Sequence, residues 1–175
     1  MTDTTVPPIP ASLHHLPTVG GLVVPWITPR TADGRHLLGS IDHNRMKQAL
    51  LRRLCGVCGH QLGDRVVLLM RVSDLRRRCT NEPPLHPHCA AYTISACPMV
   101  GGRRAHYRSS PPRLDSAMLP APDAAIRQGA PADPWFAVWL ADYRVVIVHG
   151  DLAASYADTR LLRIRPITWR VPGIV

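Results

Sequence analysis

Two short pairs of metal-ligand residues restrict this chain more than any other feature. Cys55-Gly56-Val57-Cys58-Gly59 is followed, after a gap, by His86-Pro87-His88-Cys89. Each pair keeps two residues between its ligating side chains, a spacing that suits tetrahedral zinc. A Cys-x-x-Cys turn lets both thiolates face one ion, and Gly56 and Gly59 permit the tight backbone that this requires. His86 and Cys89 fall one helical turn apart when a helix begins near Pro87, and proline is pre-set for the first helical position. The pattern therefore predicts a structural Zn2+ ion held by Cys55, Cys58, His86 and Cys89. Other candidates are weaker. His88 is a rival ligand, but its position next to Cys89 demands an awkward bite. Cys79, in an arginine-rich turn, is an alternative ligand whose spacing supplies no partner. Cys97 lies too far along the helix to share the ion and reads as a small core residue. His60 reads as a group behind the ligands or as an exposed side chain.

The rest of the chain can be read around these pairs. Residues 1–20 form a Pro-rich polar lead, expected to be extended. Gly21–Thr28 reads as an edge strand because Pro25 has no N–H. After a turn signal at Thr31–Gly34, His36–Leu38 is placed to pair back on it. Ser40–Leu54 carries the best helical pattern. Ile41, Met46, Ala49, Leu50 and Leu54 share one face, Ser40 or Asp42 can cap the start, and the basic last turn suits the helix dipole. Arg65–Val72 is an apolar, β-branched run of strand length, which Asp74–Arg78 is expected to turn back. A second helix is expected from Pro87 to near Ala96. Knuckle, hairpin and ligand-bearing helix start together predict a treble-clef zinc finger over residues 21–100. Residues 101–134, rich in Gly, Pro, Arg, Ser and Ala, read as a loop or linker. Trp135–His149 is β-rich, with a tight turn expected at Ala141-Asp142. Leu161–Ile164 and Ile167–Val171 add short strands around Pro166. The predicted class is α+β: a treble-clef centre packed with a small, mostly antiparallel sheet, in which residues 135–175 lie on the core between long Pro-rich irregular segments.

Composition limits the function. The 175 residues carry a formal net charge of +9, and Lys47 is the only lysine. Arginines clustered at Arg76, Arg77 and Arg78, and at Arg103, Arg104 and Arg108 beside Tyr107, are placed to contact phosphates. The plain alternative is a solvated surface in an arginine-biased composition. No apolar run approaches the ~20 residues that span a bilayer, so no membrane contact is expected. The first residues lack the basic start and apolar core of a signal peptide. Five cysteines without a secretion signal then imply metal ligation in a reducing cytoplasm rather than a disulfide scaffold.

CGVCGHQLG followed by NEPPLHPHCAAYTISACP resembles a family of small uncharacterised zinc-motif proteins of actinobacterial and other bacterial genomes and their phages. The shared pattern is C-x-V-C-G-x-x-L-G, then E-P-P-x-H-x-x-C-A-x-Y, then A-C-P. The upstream VPWIT with its following DGR extends the likeness, which covers roughly residues 20–100 and the C-terminal strands only loosely. The resemblance implies Cys55, Cys58, His86 and Cys89 as the ligand set and places His88 at a variable position. It carries no activity with it.

Three functions are compatible with these features to different degrees. The first is a non-catalytic zinc module binding DNA or RNA through the arginines named above. The second is a regulatory factor, phage or bacterial, that binds a protein partner with Trp135, Trp139 or Trp169 as anchors. Ordinary core packing is the simpler role for those tryptophans. The third is a His-Asn-His-like nuclease, the least favoured, because RVVLLMRVSDLRRRC holds no histidine and AAYTISAC offers no His, Asn or acidic ligand. Four protein ligands also close a zinc site to catalysis. His106 and His149 are free of the zinc motif, but nothing ties either to Cys79 or Cys97 as a nucleophile pair. No small-molecule site is evident. Binding is expected, catalysis is not.

Overall fold

The computed structural model describes residues 6–110 and 124–168. Among the described residues, eight strands and four α-helices follow one another in mixed α+β order, with all strand pairs antiparallel. The Pro-rich lead is not simply extended. Ala11–Leu13 forms a 3-10 turn that drives Leu13 to 0% exposure. Strand β1 (Thr18–Val19) then pairs with β2 (Leu22–Val23), because Gly20 and Gly21 both take positive φ and reverse the chain between them. The strand expected over Gly21–Thr28 is thus only its first part. His36 pairs back at a single bridge, to Arg30.

Helix α1 spans His43–Arg52, with Asp42 rather than Ser40 at its cap: the Asp42 carboxylate accepts the Arg45 N–H at 3.0 Å. Met46, Ala49 and Leu50 form its buried face. The helix stops at Arg53, whose φ of 56° turns the backbone out of the helix and into the cysteine knuckle. Leu54, expected on the helical face, lies beyond that stop and bridges Gln61.

Strand β3 (Val66–Arg71) is buried at all six positions. Both of its faces are covered, so its sequence runs apolar without alternation. The Asp74–Arg78 segment forms a short helix, α2 (Val72–Arg77), rather than a turn back onto β3. The chain then enters β4 (Cys79–Thr80). These two strands are not a hairpin. β3 pairs with β5 (Trp135–Leu140), whereas β4 pairs with β7 (Asp151–Ser155). One three-stranded sheet has the order β3-β5-β8, where β8 is Leu161–Pro166, and the other has the order β4-β7-β6, where β6 is Arg144–Val148.

The tight turn expected at Ala141-Asp142 has the same outcome. β5 and β6 belong to different sheets, so residues 141–143 form a corner between sheets and not a hairpin turn. Tyr143 anchors that corner, donating from its hydroxyl to the Leu50 carbonyl at 2.8 Å at the end of α1. Asp142 forms an ion pair with Arg53. Strand β7 has no clear sequence signal, because DLAAS is short and weakly apolar. β8 is one strand through Pro166, and residues 169–171 of the last expected strand lie outside the described residues.

Helix α3 (Pro87–Ala96) matches its expected span. In the 101–134 stretch, the described ends run together. Tyr107 N–H donates to the Ala130 carbonyl at 2.9 Å and Ala132 N–H to the Ala105 carbonyl at 2.8 Å. Helix α4 (Ala124–Arg127) lies between them in sequence.

A buried ionic group joins the two sheets. Arg71 ends β3 at 2% exposure, and Asp74 on α2 is at 0%. The Asp74 carboxylate accepts Arg71 Nε at 2.9 Å, Arg71 N at 3.1 Å, Arg77 Nη2 at 2.7 Å and the Thr80 hydroxyl at 3.2 Å. It therefore caps α2, neutralises a buried guanidinium and holds β4. Removing it takes a paired charge and its hydrogen bonds away from a buried guanidinium, which costs about 3–5 kcal/mol. Asp74→Ala should accordingly lower the urea midpoint by that much stability, measured at constant pH.

Glu82 follows β4, and burial pushes its carboxyl above the ordinary range against the pull of Arg71. The folded state then keeps this proton to a higher pH than the unfolded chain does. Stability from this group is greatest below the ordinary Glu value and falls as pH rises through the raised folded value. Glu82→Gln should remove that fall, read as a flatter plot of unfolding free energy against pH upward from about pH 4.5.

Candidate metal centre

The knuckle forms where α1 ends. Cys55 N–H donates to the His60 carbonyl at 2.8 Å and Gly59 N–H to the Cys55 carbonyl at 2.8 Å, folding residues 55–60 into a closed loop. Gly59 has φ +74°, and a Cβ there would lie 2.8 Å from the Trp26 ring. A Cβ on Gly56 would collide with the Pro83 ring. The glycines thus serve two purposes: one allows the left-handed turn, and both allow neighbouring chain to lie against the loop.

Neighbouring backbone holds the loop from two directions. Trp26 N–H donates to the Val57 carbonyl at 2.8 Å and Ile27 N–H to the Gly56 carbonyl at 3.1 Å. Gly56 N–H donates in turn to the Pro84 carbonyl at 3.0 Å. The second ligand pair arrives by a ladder contact. Leu85 and Val67 exchange both backbone hydrogen bonds, at 2.9 and 3.0 Å, on the side of β3 away from β5. The next residue, His86, is therefore delivered beside the knuckle, and Pro87 starts α3 at once. One turn on, Cys89 is at 0% exposure.

Ligating atoms of Cys55, Cys58, His86 and Cys89 all lie within 4.8 Å of one another. A tetrahedron with metal–sulfur bonds of about 2.3 Å has sulfur–sulfur edges of ~3.8 Å, so the cluster has the size of one coordination sphere. His86 Nδ1 lies 3.3 Å from Cys58 Sγ, and its Nε2 lies 3.0 Å from the Gln61 carbonyl. A carbonyl only accepts, so Nε2 donates to Gln61 and Nδ1 is the ring nitrogen turned toward the sulfurs. A metal-binding histidine needs this arrangement. His86 N–H also points at Cys55 Sγ at 3.5 Å, a contact that favours the thiolate.

The thiols are electrostatically linked. The hydrogen bond with Cys55, followed by that with Cys89, pulls Cys58 far below the ordinary thiol range. Cys55 is pushed up first by its hydrogen bond to Cys58. Cys89 is pushed up far beyond it, first by Cys55 and then by Cys58. Ionising one of three sulfurs this close opposes ionising the others. All three become thiolates together only when a cation supplies the compensating charge. The donor set therefore fits a metal ion, and the four positions are the ones the spacing predicted.

The alternatives fall away by position. His88 is exposed, with its ring stacked on His86 at 5.2 Å between centroids. Cys79 is in β4, opposite Ser155, and burial pushes its thiol up. Cys97 caps the end of α3. His60 is exposed and stacks on His15 at 4.9 Å.

The arginines singled out in the sequence are exposed: Arg76, Arg77 and Arg78 around the end of α2, and Arg103, Arg104 and Arg108 after α3. Arg77 is engaged by Asp74, and Arg103 Nη2 donates to the Ser95 carbonyl at 2.7 Å. Trp135 is 4% exposed and packs in the core, Trp139 is half-buried, and Trp169 lies outside the described residues. Among the described residues, no helix is long and apolar enough to cross a membrane. No protein-family model matches this chain, and neither a curated protein nor a solved structure matches it.

Side chains added to the knuckle should loosen the site. Gly59→Ala is strained by its φ and by Trp26, and should cost about 1–3 kcal/mol. In a domain this size that is a fall in Tm of roughly 2–4 °C per kcal/mol, checked by thermal denaturation.

Proposed function

We propose that this chain is a small zinc-stapled module that binds nucleic acid and carries out no catalysis at its metal. The carrying observation is the Cys3His cluster, whose four ligating atoms lie within 4.8 Å of one another. Thiolate and imidazole donors in this number suit zinc, and four protein ligands complete its tetrahedron. The metal then acts on folding, by tying the knuckle to the start of α3. In this reading the two form a treble clef whose usual hairpin has been opened so that β3 and β4 feed separate sheets. The likeness to the small actinobacterial and phage zinc-motif proteins belongs to the same proposal, as does a cytoplasmic location.

The nucleic-acid part rests on charge. A net +9 carried almost wholly by arginine favours phosphate, because guanidinium groups pair with it in a bidentate fork. A protein partner is the second reading, favoured by Ile147 at 74% exposure and by Leu161 and Ile164 at 44% and 40%. Arginines interrupt the latter two along β8, which weighs toward a polyanion.

Purified protein should contain one zinc ion per chain by elemental analysis. Cys58→Ser should lose that ion and drop in Tm by on the order of 10 °C or more, since structural zinc contributes folding free energy directly. A metal-free Cys58→Ser protein with unchanged melting would remove the structural role. Labelled DNA or RNA should bind at low salt, with log K falling linearly against log salt. Absence of binding to both at low salt would defeat the nucleic-acid reading.

A further inference from the structure

A groove of about 700 Å³ opens at the β3-β5-β8 sheet, lined by Asp64, Arg65, Trp139, Ala141, Arg160, Leu162, Arg163 and Arg165. Strand geometry explains how residues so far apart in sequence meet there. Trp139 faces Val67 on one side and Arg163 on the other. Side chains two apart in a strand share a face, so Arg165 joins Arg163, while Arg65 and Ala141 adjoin the paired ends of β3 and β5. The register slips between Trp139 and Leu140, which pair with Arg163 and Leu161. Leu162 is the extra residue of this bulge, and a bulge lets consecutive side chains project to one side. Leu162 and Arg163 accordingly both line the groove.

Its chemistry is one-sided. Four guanidinium groups face one carboxylate, and all four arginines are exposed. Among the described residues none of these arginines forms an ion pair. Between them lies the half-buried Trp139, held in place from β3 and β8, so part of its ring is open to the groove. Cations gathered around an aromatic ring are what a single strand of nucleic acid requires: charge for the phosphates and a ring for an unstacked base. A duplex keeps its bases stacked and has no use for the ring. A second copy of this chain would bring arginine against arginine along β8, which like-charge repulsion opposes.

We propose that this groove is a binding site for single-stranded nucleic acid, with Arg65, Arg160, Arg163 and Arg165 on the phosphates and Trp139 stacked on a base. It rests on the nucleic-acid reading above and places the contact at a surface distinct from the arginines around α2 and after α3.

The test is fluorescence anisotropy of a labelled oligothymidylate at low salt with the full-length, zinc-loaded protein. The variants are Arg163→Glu/Arg165→Glu and Trp139→Leu, with Arg76→Glu/Arg78→Glu for comparison. Zinc content and Tm establish that each variant is folded. The groove charge reversal should weaken binding at least ~10-fold and flatten the salt dependence, by about 0.7 in slope for each phosphate no longer neutralised. Trp139→Leu should weaken it by about tenfold, the scale of one stacked base. If wild type binds and the groove charge reversal binds equally well, the groove is not the site, while the nucleic-acid reading stands. If neither oligothymidylate nor duplex binds wild type at low salt, both readings fail together. Binding of poly-glutamate in place of the oligonucleotide, abolished by the charge reversal, would make the groove a protein-docking surface and overturn the proposal. Equal affinity for duplex and single strand, unmoved by Trp139→Leu, would overturn the stacking.

Discussion

Four side chains from two separate parts of the chain must meet within one coordination sphere, and the central architecture is arranged to bring them there. The requirement is strict because three thiols at this distance repel once ionised. Its neighbouring sulfurs push the Cys89 thiol up, and hydrogen bonds with them pull the Cys58 thiol down. A metal ion bound there would stabilise the thiolates together, and its binding free energy would become folding free energy. The backbone makes the meeting inexpensive in entropy. Trp26 and Ile27 hold the knuckle from one direction and Pro84 from another, while the Leu85–Val67 exchange sets His86 in place.

The segment between the ligand pairs is divided between the two sheets. The chain between the ligand pairs must leave the knuckle at Leu62 and return at Leu85. A hairpin would serve, but here β3 and β4 separate and each finds its partner in the C-terminal third. The Arg71–Asp74 pair sits at the separation, so one buried carboxylate holds the end of β3, the start of α2 and β4. The C-terminal strands thus complete sheets that the ligand-bearing segment begins. Loss of Asp74 should therefore loosen both.

Local signals are legible in the sequence and partner choice is not. Pro87 followed by an apolar stretch locates α3, and the periodicity of Met46, Ala49 and Leu50 locates α1, because these elements satisfy their backbone hydrogen bonds internally. Strand content is visible at Val66–Arg71 and Trp135–Leu140 because β-branched and aromatic runs suit an extended, buried backbone. Pairing departs from expectation twice, between β3 and β4 and between β5 and β6. In both cases two β-rich runs stand close in sequence around a turn-like spacer, which ordinarily signals a hairpin. Strand β7 carries no such signal, because Ala153 and Ala154, both at 0% exposure, are buried by their neighbours rather than by any apolar pattern of their own.

The sequence by itself determined which four Cys and His side chains come together, because two-residue spacings on a turn and on a helix start are local geometry, indifferent to the remainder of the fold. It also determined the strong arginine excess. Only the tertiary structure decided which strands pair and where the arginines gather. Arg65, Trp139 and Arg163 are distant in the chain and become neighbours solely through the register of β5 between β3 and β8. Strand register is set by long-range burial and hydrogen bonding, whose free energy belongs to the pair, so no single strand's sequence specifies it.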